Sequence, residues 1–178
     1  MIITLNKSSQ IIELEDNKLT TIGDRFMFYN QTMTNLELPS LNTVGNYFMC
    51  YNVAMTNLKL PKLTTVDKGF MNCNKVITNL ELPKLTTIGD YFMHCNEAIT
   101  NLELPNLIKV SDDFMNCNVA MTNLELPSLI KVGNDFMYYN KVMTNLELPN
   151  LTTVGKGFMP YNKNLKYDYN IKQIISNN

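Results

Sequence analysis

A chain of 178 residues, 45% apolar, can bury a core, and its formal net charge of −1 offers no electrostatic footprint for nucleic acid or an anionic membrane. No apolar run approaches the ~20 residues that span a bilayer, and the opening MIITLNKSSQIIELED lacks the apolar stretch of a secretory signal. An intracellular protein is expected, or a cell-surface one if the chain is a fragment.

Met1–Gln10 matches nothing later in the chain and is expected to be an N-terminal cap, strand or loop. From residue 11 to residue 164 the sequence repeats with a 22-residue step. Proline falls at Pro39, Pro61, Pro83, Pro105, Pro127 and Pro149, and a Phe-Met pair recurs from Phe26 to Phe158. Asparagine keeps the same step from Asn30 to Asn162. A fixed period of this size is the mark of a solenoid, whose units bury their apolar sides only against their neighbours. Seven repeats therefore make one domain, the first degenerate, with Asp16 and Asn17 where later copies have Leu and Pro. Residues 165–178 form the expected C-terminal cap, with Leu165, Ile171, Ile174 and Ile175 packing on the last repeat.

Within a unit, alternation sends Leu36 and Leu38 inward and Asn35 and Glu37 outward, as a short strand requires. Pro39 ends that strand because it has no N–H for the ladder. Leu41 and Val44 turn back to the interior, and the Gly45 column is expected to supply a positive φ at the next turn, with a local adjustment at Ser111. Phe48 and Met49 are too bulky and too regular to face water, and Met33, Met55, Met121 and Met143 fall at the same core spacing. A polar residue repeated between apolar columns, as Asn30 to Asn162 are, is expected to be buried with its amide hydrogen-bonded to the adjacent coil.

The unit L-x-L-P-x-L-x-x-[VI]-G-x-x-F-M-x-x-N-x-x-[MI] resembles the leucine-rich repeats of the BspA-like (Treponema pallidum) class, over about residues 11–165. Those repeats carry Ala-Phe where this chain has Phe48-Met49, and Cys where it has Asn52. The resemblance implies an α/β-type leucine-rich-repeat solenoid, with a parallel β-sheet on the concave face and irregular or short helical turns on the convex face. It also brings in adhesion or host contact at a cell surface.

No catalytic constellation emerges, and neither a cofactor nor a metal is expected. The one histidine, His94, sits in a column of variable residues and is expected to be exposed. Cys73, Cys95 and Cys117 share a column with Tyr29, Tyr51, Tyr139 and Tyr161, which reads as filler of a half-buried site; no Cys-x-x-Cys pair is present. An unbroken threonine column, Thr34 to Thr144, raises an ice-binding array, but each Thr stands beside Asn and Glu.

The outward strand positions are the candidate protein-binding residues. Glu37, Lys59, Glu81, Glu103, Glu125 and Glu147 would form a charged stripe, with Asn35, Asn57, Asn79, Asn101, Asn123 and Asn145 beside it. Positions after the proline and after the Gly45 turn vary more, so specificity could instead lie on the loop edge. The function expected is non-catalytic protein–protein interaction, with a structural or adhesion-type surface segment as the alternative. Neither nucleic acid nor membrane is an expected partner.

Overall fold

The computed structural model describes residues 2–7, 11–166, 171 and 174. β1 (Ile2–Leu5) pairs antiparallel with β2 (Ile11–Glu15), and β3 (Thr21–Ile22) completes the first coil's strands. Each later coil adds an Asn-Leu-Glu/Lys strand and, as far as β11, a short second strand. These are β4 (Asn35–Glu37) with β5 (Thr43–Val44), β6 (Asn57–Lys59) with β7 (Thr65–Val66), and β8 (Asn79–Glu81) with β9 (Thr87–Ile88). They continue as β10 (Asn101–Glu103) with β11 (Lys109–Val110), then β12 (Asn123–Glu125) and β13 (Asn145–Glu147). All pairings between coils are parallel and fall one repeat apart, Leu36 on Leu58 and Val44 on Val66. Isolated bridges Lys109–Lys131–Thr153 carry the second sheet onward.

The proline column marks the first corner. Leu38 C=O accepts from Leu41 N–H at 3.2 Å, so Pro39 occupies the second position of a tight turn that its fixed φ favours. The second corner corrects the reading of Gly45. None of Gly23, Gly45, Gly89, Gly133 and Gly155 has a positive φ, nor do Asp67 and Ser111 in the same column. Beyond Gly23, which has open space around it, close approach of the preceding coil is the reason for glycine: a Cβ on Gly89 would stand 2.8 Å from the carbonyl carbon of Asp67, and one on Gly133 2.6 Å from that of Ser111. Asp67 and Ser111 mark the two coils where the stack accommodates a side chain.

The third side overturns the expected helical convex face. No coil contains a helix; helical backbone among the described residues is confined to Ile171 and Ile174 beyond the repeats. The fold is a β-solenoid rather than an α/β solenoid. Its third side is a ribbon of turns in which every second residue has a left-handed backbone: Tyr47 (φ 57°), Met49 (52°) and Tyr51 (59°) in one coil, Tyr91 (56°), Met93 (50°) and Cys95 (57°) two coils on. Gly69 and Gly157, in the Tyr47 column, are the glycines that use positive φ. A non-glycine residue gives up ~1–2 kcal/mol in that region, so a compensating term is required.

Hydrogen bonds between coils supply it. Tyr47 N–H reaches Lys68 C=O of the next coil at 2.7 Å, Met49 N–H reaches back to Phe26 C=O at 2.9 Å, and Tyr51 N–H reaches forward to Asn72 C=O at 2.8 Å. A helix would turn these groups onto its own backbone. Stacked helices also need 8–10 Å between axes, whereas strands on the other sides repeat at ~4.8 Å. The ribbon keeps the short spacing, and the phenylalanines beneath it stack at 5.4 Å from Phe70 to Phe92 and 5.2 Å from Phe114 to Phe136, with rings within 5° of parallel.

Leu36, Leu38, Leu41, Val44, Phe48, Met49 and Met55, with their equivalents, form one continuous core. Set into it is the asparagine column, buried as expected. Asn96 Nδ2 donates to Met71 C=O at 3.0 Å, and its Oδ1 accepts from Asn74 N–H at 3.0 Å. Asn118 and Asn140 repeat both bonds one and two coils on. From Asn52 to Asn162 each asparagine thus caps a carbonyl of a left-handed methionine, while Asn30 donates to Ile11 C=O; the buried Oδ1 of Asn52, Asn74 and Asn162 has no partner among the described residues. Beyond the last coil, Ile171 is fully buried and Ile174 partly so, both against the core, while Ile175 lies outside the described residues.

Two outcomes are expected. Asn96→Leu strands Met71 C=O and Asn74 N–H in the core and should lower the unfolding free energy by about 2–4 kcal/mol in urea titration, whereas Asn57→Ala on the surface should stay within about 0.5 kcal/mol. At Asp135 (φ 51°), Asp135→Val should be less stable than Asp135→Gly by about 1 kcal/mol or more, read by thermal unfolding.

Candidate functional site

The pleat gives each Asn-Leu-Glu strand one inward and two outward side chains. In β4, β6, β8, β10, β12 and β13 the central Leu is buried and both flanking residues are exposed. Register then places Asn79 beside Asn101 and Glu81 beside Glu103, and likewise Asn123 beside Asn145 and Glu125 beside Glu147. Glu37 lies beside Lys59 and pairs with it at 3.8 Å, both side chains about 60% exposed. Among the described residues Glu81, Glu103, Glu125 and Glu147 have no ion-pair partner. Glu103 and Glu147 instead accept from Asn101 and Asn145 at 3.3 and 3.2 Å.

This face is not a uniform ladder. β4–β6, β8–β10 and β12–β13 are hydrogen-bonded, but β6–β8 and β10–β12 are not. A shallow cleft opens at each interruption: about 480 Å³ between β6 and β8, lined by Lys59, Pro61, Glu81 and Pro83, and about 390 Å³ between β10 and β12, lined by Glu103, Pro105, Glu125 and Pro127. The clefts therefore offer carboxylates flanked by proline rings. Nothing in the repeat unit marks which neighbours pair, so the sequence carried no sign of them.

Threonine hydroxyls on this side are engaged with the backbone: Thr56 Oγ1 donates to Thr34 C=O at 3.1 Å and Thr144 Oγ1 to Thr122 C=O at 3.2 Å. The variable edges are also tied down. Asn106, Ser128 and Asn150 donate to the carbonyls of Pro83, Pro105 and Pro127 at 2.6–2.7 Å. Asp112 Oδ1 accepts from Asn134 N–H at 2.7 Å.

A second grouping lies on the turn ribbon. His94, Cys95 and Cys117 each place a ligand atom within 4.8 Å of the others. His94 is half-buried rather than exposed, and its Nδ1 is buried with no hydrogen-bond partner. Burial lowers the His94 pKa, against a smaller upward pull from Asp113. Burial, with Cys117 and Cys73 close by, pushes the Cys95 thiol up to about 12. Sequence reasoning set the cysteine column aside because it looked for Cys-x-x-Cys spacing along the chain. In a 22-residue solenoid, spacing of one repeat brings Cys95 and Cys117 together just as directly. Cys50, one position earlier in its coil, points inward, and its thiol donates to Gly69 C=O at 2.7 Å.

The geometry defines a class: a tandem-repeat parallel β-solenoid with one polar strand face. The chain matches the BspA type leucine-rich repeat region, in six copies, over residues 5–120 and 64–177. It belongs to that family, as the repeat unit led us to expect. Neither the curated proteins nor the solved structures contain a match. Among the described residues no helix is long and apolar enough to cross a membrane.

Lys59→Glu would extend the carboxylate stripe from Glu37 to Glu147. The exposed pair it removes should be worth less than about 1 kcal/mol in urea unfolding at low salt, with the difference shrinking in high salt.

Proposed function

We propose that the chain is a protein-interaction module whose Asn-Leu-Glu face receives a basic protein surface. The observation that supports this is the in-register alignment of Glu81 with Glu103 and Glu125 with Glu147, four exposed carboxylates without cationic partners among the described residues. Like charges held side by side repel mildly, and a partner carrying Lys or Arg relieves that repulsion while gaining steering at a distance. The Asn column beside them adds amides that can both donate and accept. Binding of this kind weakens as salt screens it.

A structural or adhesion-type role is the second reading, supported by uniformity: five of the six strands read Asn-Leu-Glu, whereas a recognition surface is ordinarily diversified between repeats. The two readings part in one experiment. Proteins retained on the immobilised chain from its native lysate are compared with those retained by a variant carrying Glu81→Lys, Glu103→Lys and Glu125→Lys. Loss of a salt-sensitive basic partner from the variant is the expected result. A partner held equally by both moves the site to the loop edges, and no partner for either favours the structural reading.

A further inference from the structure

We propose that His94, Cys95 and Cys117 bind one thiophilic d10 cation of the Zn2+ or Cu+ kind, a site independent of the Asn-Leu-Glu face. Three potential ligands from two adjacent coils converge here, each with a donor atom within 4.8 Å of the others. Two sulfurs and an imidazole nitrogen form the donor set that selects Zn2+ or Cu+ over the oxygen-seeking Mg2+ and Ca2+. Donor atoms around such an ion stand roughly 3.5–4 Å apart, given metal–ligand bonds of about 2.0–2.3 Å. Closing the present group onto an ion therefore takes side-chain adjustments of about 1 Å, within reach of half-buried groups on a turn ribbon.

The surroundings favour the cation. His94 Nδ1 is buried and without a hydrogen-bond partner, an arrangement that ligation at Nδ1 would satisfy. Asp113 acts on His94 and Glu97 on Cys95, both adding negative charge beside the cluster. Lys75 is drawn into an ion pair with Glu97 at 3.5 Å, which leaves part of that charge balanced. The backbone is fixed from coil to coil, with Cys95 N–H on Asn116 C=O at 2.8 Å and Cys117 N–H on Tyr138 C=O at 2.9 Å, so the ligands are carried on a braced frame. On binding, each thiol releases its proton to solvent as its sulfur takes the metal; no electrons change hands. The three protein ligands leave a fourth position for water or an external donor.

The test uses the whole chain under a non-thiol reductant, titrated with Co2+ as an optical stand-in for Zn2+ and, separately, with Cu+ against a competing chelator. One ion per chain is expected, with a thiolate-to-cobalt charge-transfer band that Zn2+ abolishes. Cys95→Ser, Cys117→Ser and His94→Asn should each weaken binding about tenfold or more, while Cys50→Ser binds as the natural chain does. One-to-one binding of Cu+ alone, with the same dependence on the three residues, upholds the site and names copper as its ion. A variant-free measurement guards against misfolding: Zn2+ or Cu+ should slow alkylation of Cys95 and Cys117 in the natural chain, read peptide by peptide. The proposal is overturned if neither ion binds, if the three substitutions leave affinity unchanged, if Cys50→Ser weakens it equally, or if alkylation proceeds at the same rate with metal.

Discussion

At Asn96, Asn118 and Asn140 the side-chain amide of the buried asparagine is bonded in two directions, whereas the buried Oδ1 of Asn52, Asn74 and Asn162 has no partner among the described residues. In the first three, Nδ2 closes off the carbonyl of a methionine in the preceding coil, as Asn96 does for Met71, and Oδ1 takes the N–H of the preceding asparagine. Those methionines stand in the left-handed region, where an L-residue is at a disadvantage and where its carbonyl would otherwise be stranded in an apolar core. The amide makes that backbone tolerable, and the backbone in turn lets the third side stack at strand spacing. Phenylalanine stacking, glycine contacts and strand register all presuppose that common spacing. A residue with only a donor or only an acceptor could not replace Asn96, Asn118 or Asn140, because both bonds there end on buried backbone.

Such a constraint shapes function as much as fold. Strict stacking turns every sequence column into a physical row on the surface, so a repeated residue becomes a repeated charge or amide, as in Glu81, Glu103, Glu125 and Glu147. Rows that repeat faithfully give extended, low-diversity surfaces suited to charge complementarity. Chemistry that needs unlike groups together can arise only where columns break their pattern. The break at His94, Cys95 and Cys117 does so: a histidine where other coils have Phe, Cys, Asn, Tyr or Pro stands against two stacked thiols.

Much of this was legible from period and alternation alone. The inward leucines, the buried Phe-Met pair and the hydrogen-bonded asparagines follow from columns in which polarity never varies, and a column is a statement about burial. Backbone conformation was less legible. Glycine at Gly45 suggested positive φ, but proximity of the preceding coil explains it, and the positive φ values fall on Tyr47, Met49 and Tyr51, residues with no such preference. Those conformations are imposed by hydrogen bonds to neighbouring coils, which local propensity does not encode. The expectation of short helical turns failed for the same reason. His94 was misplaced because column variability was read as exposure, when its ring lies across the ribbon toward a neighbouring coil's cysteine.

Native-state hydrogen exchange at the backbone amides of Asn74, Asn96 and Asn118 tests the central claim most directly, because each is held by the side chain of the next coil's asparagine rather than by a strand or helix partner. The account predicts protection matching that of the strand-bonded Leu82 and Leu126 amides, lost only on global unfolding. Exchange at these three positions as fast as at exposed turn amides would contradict it.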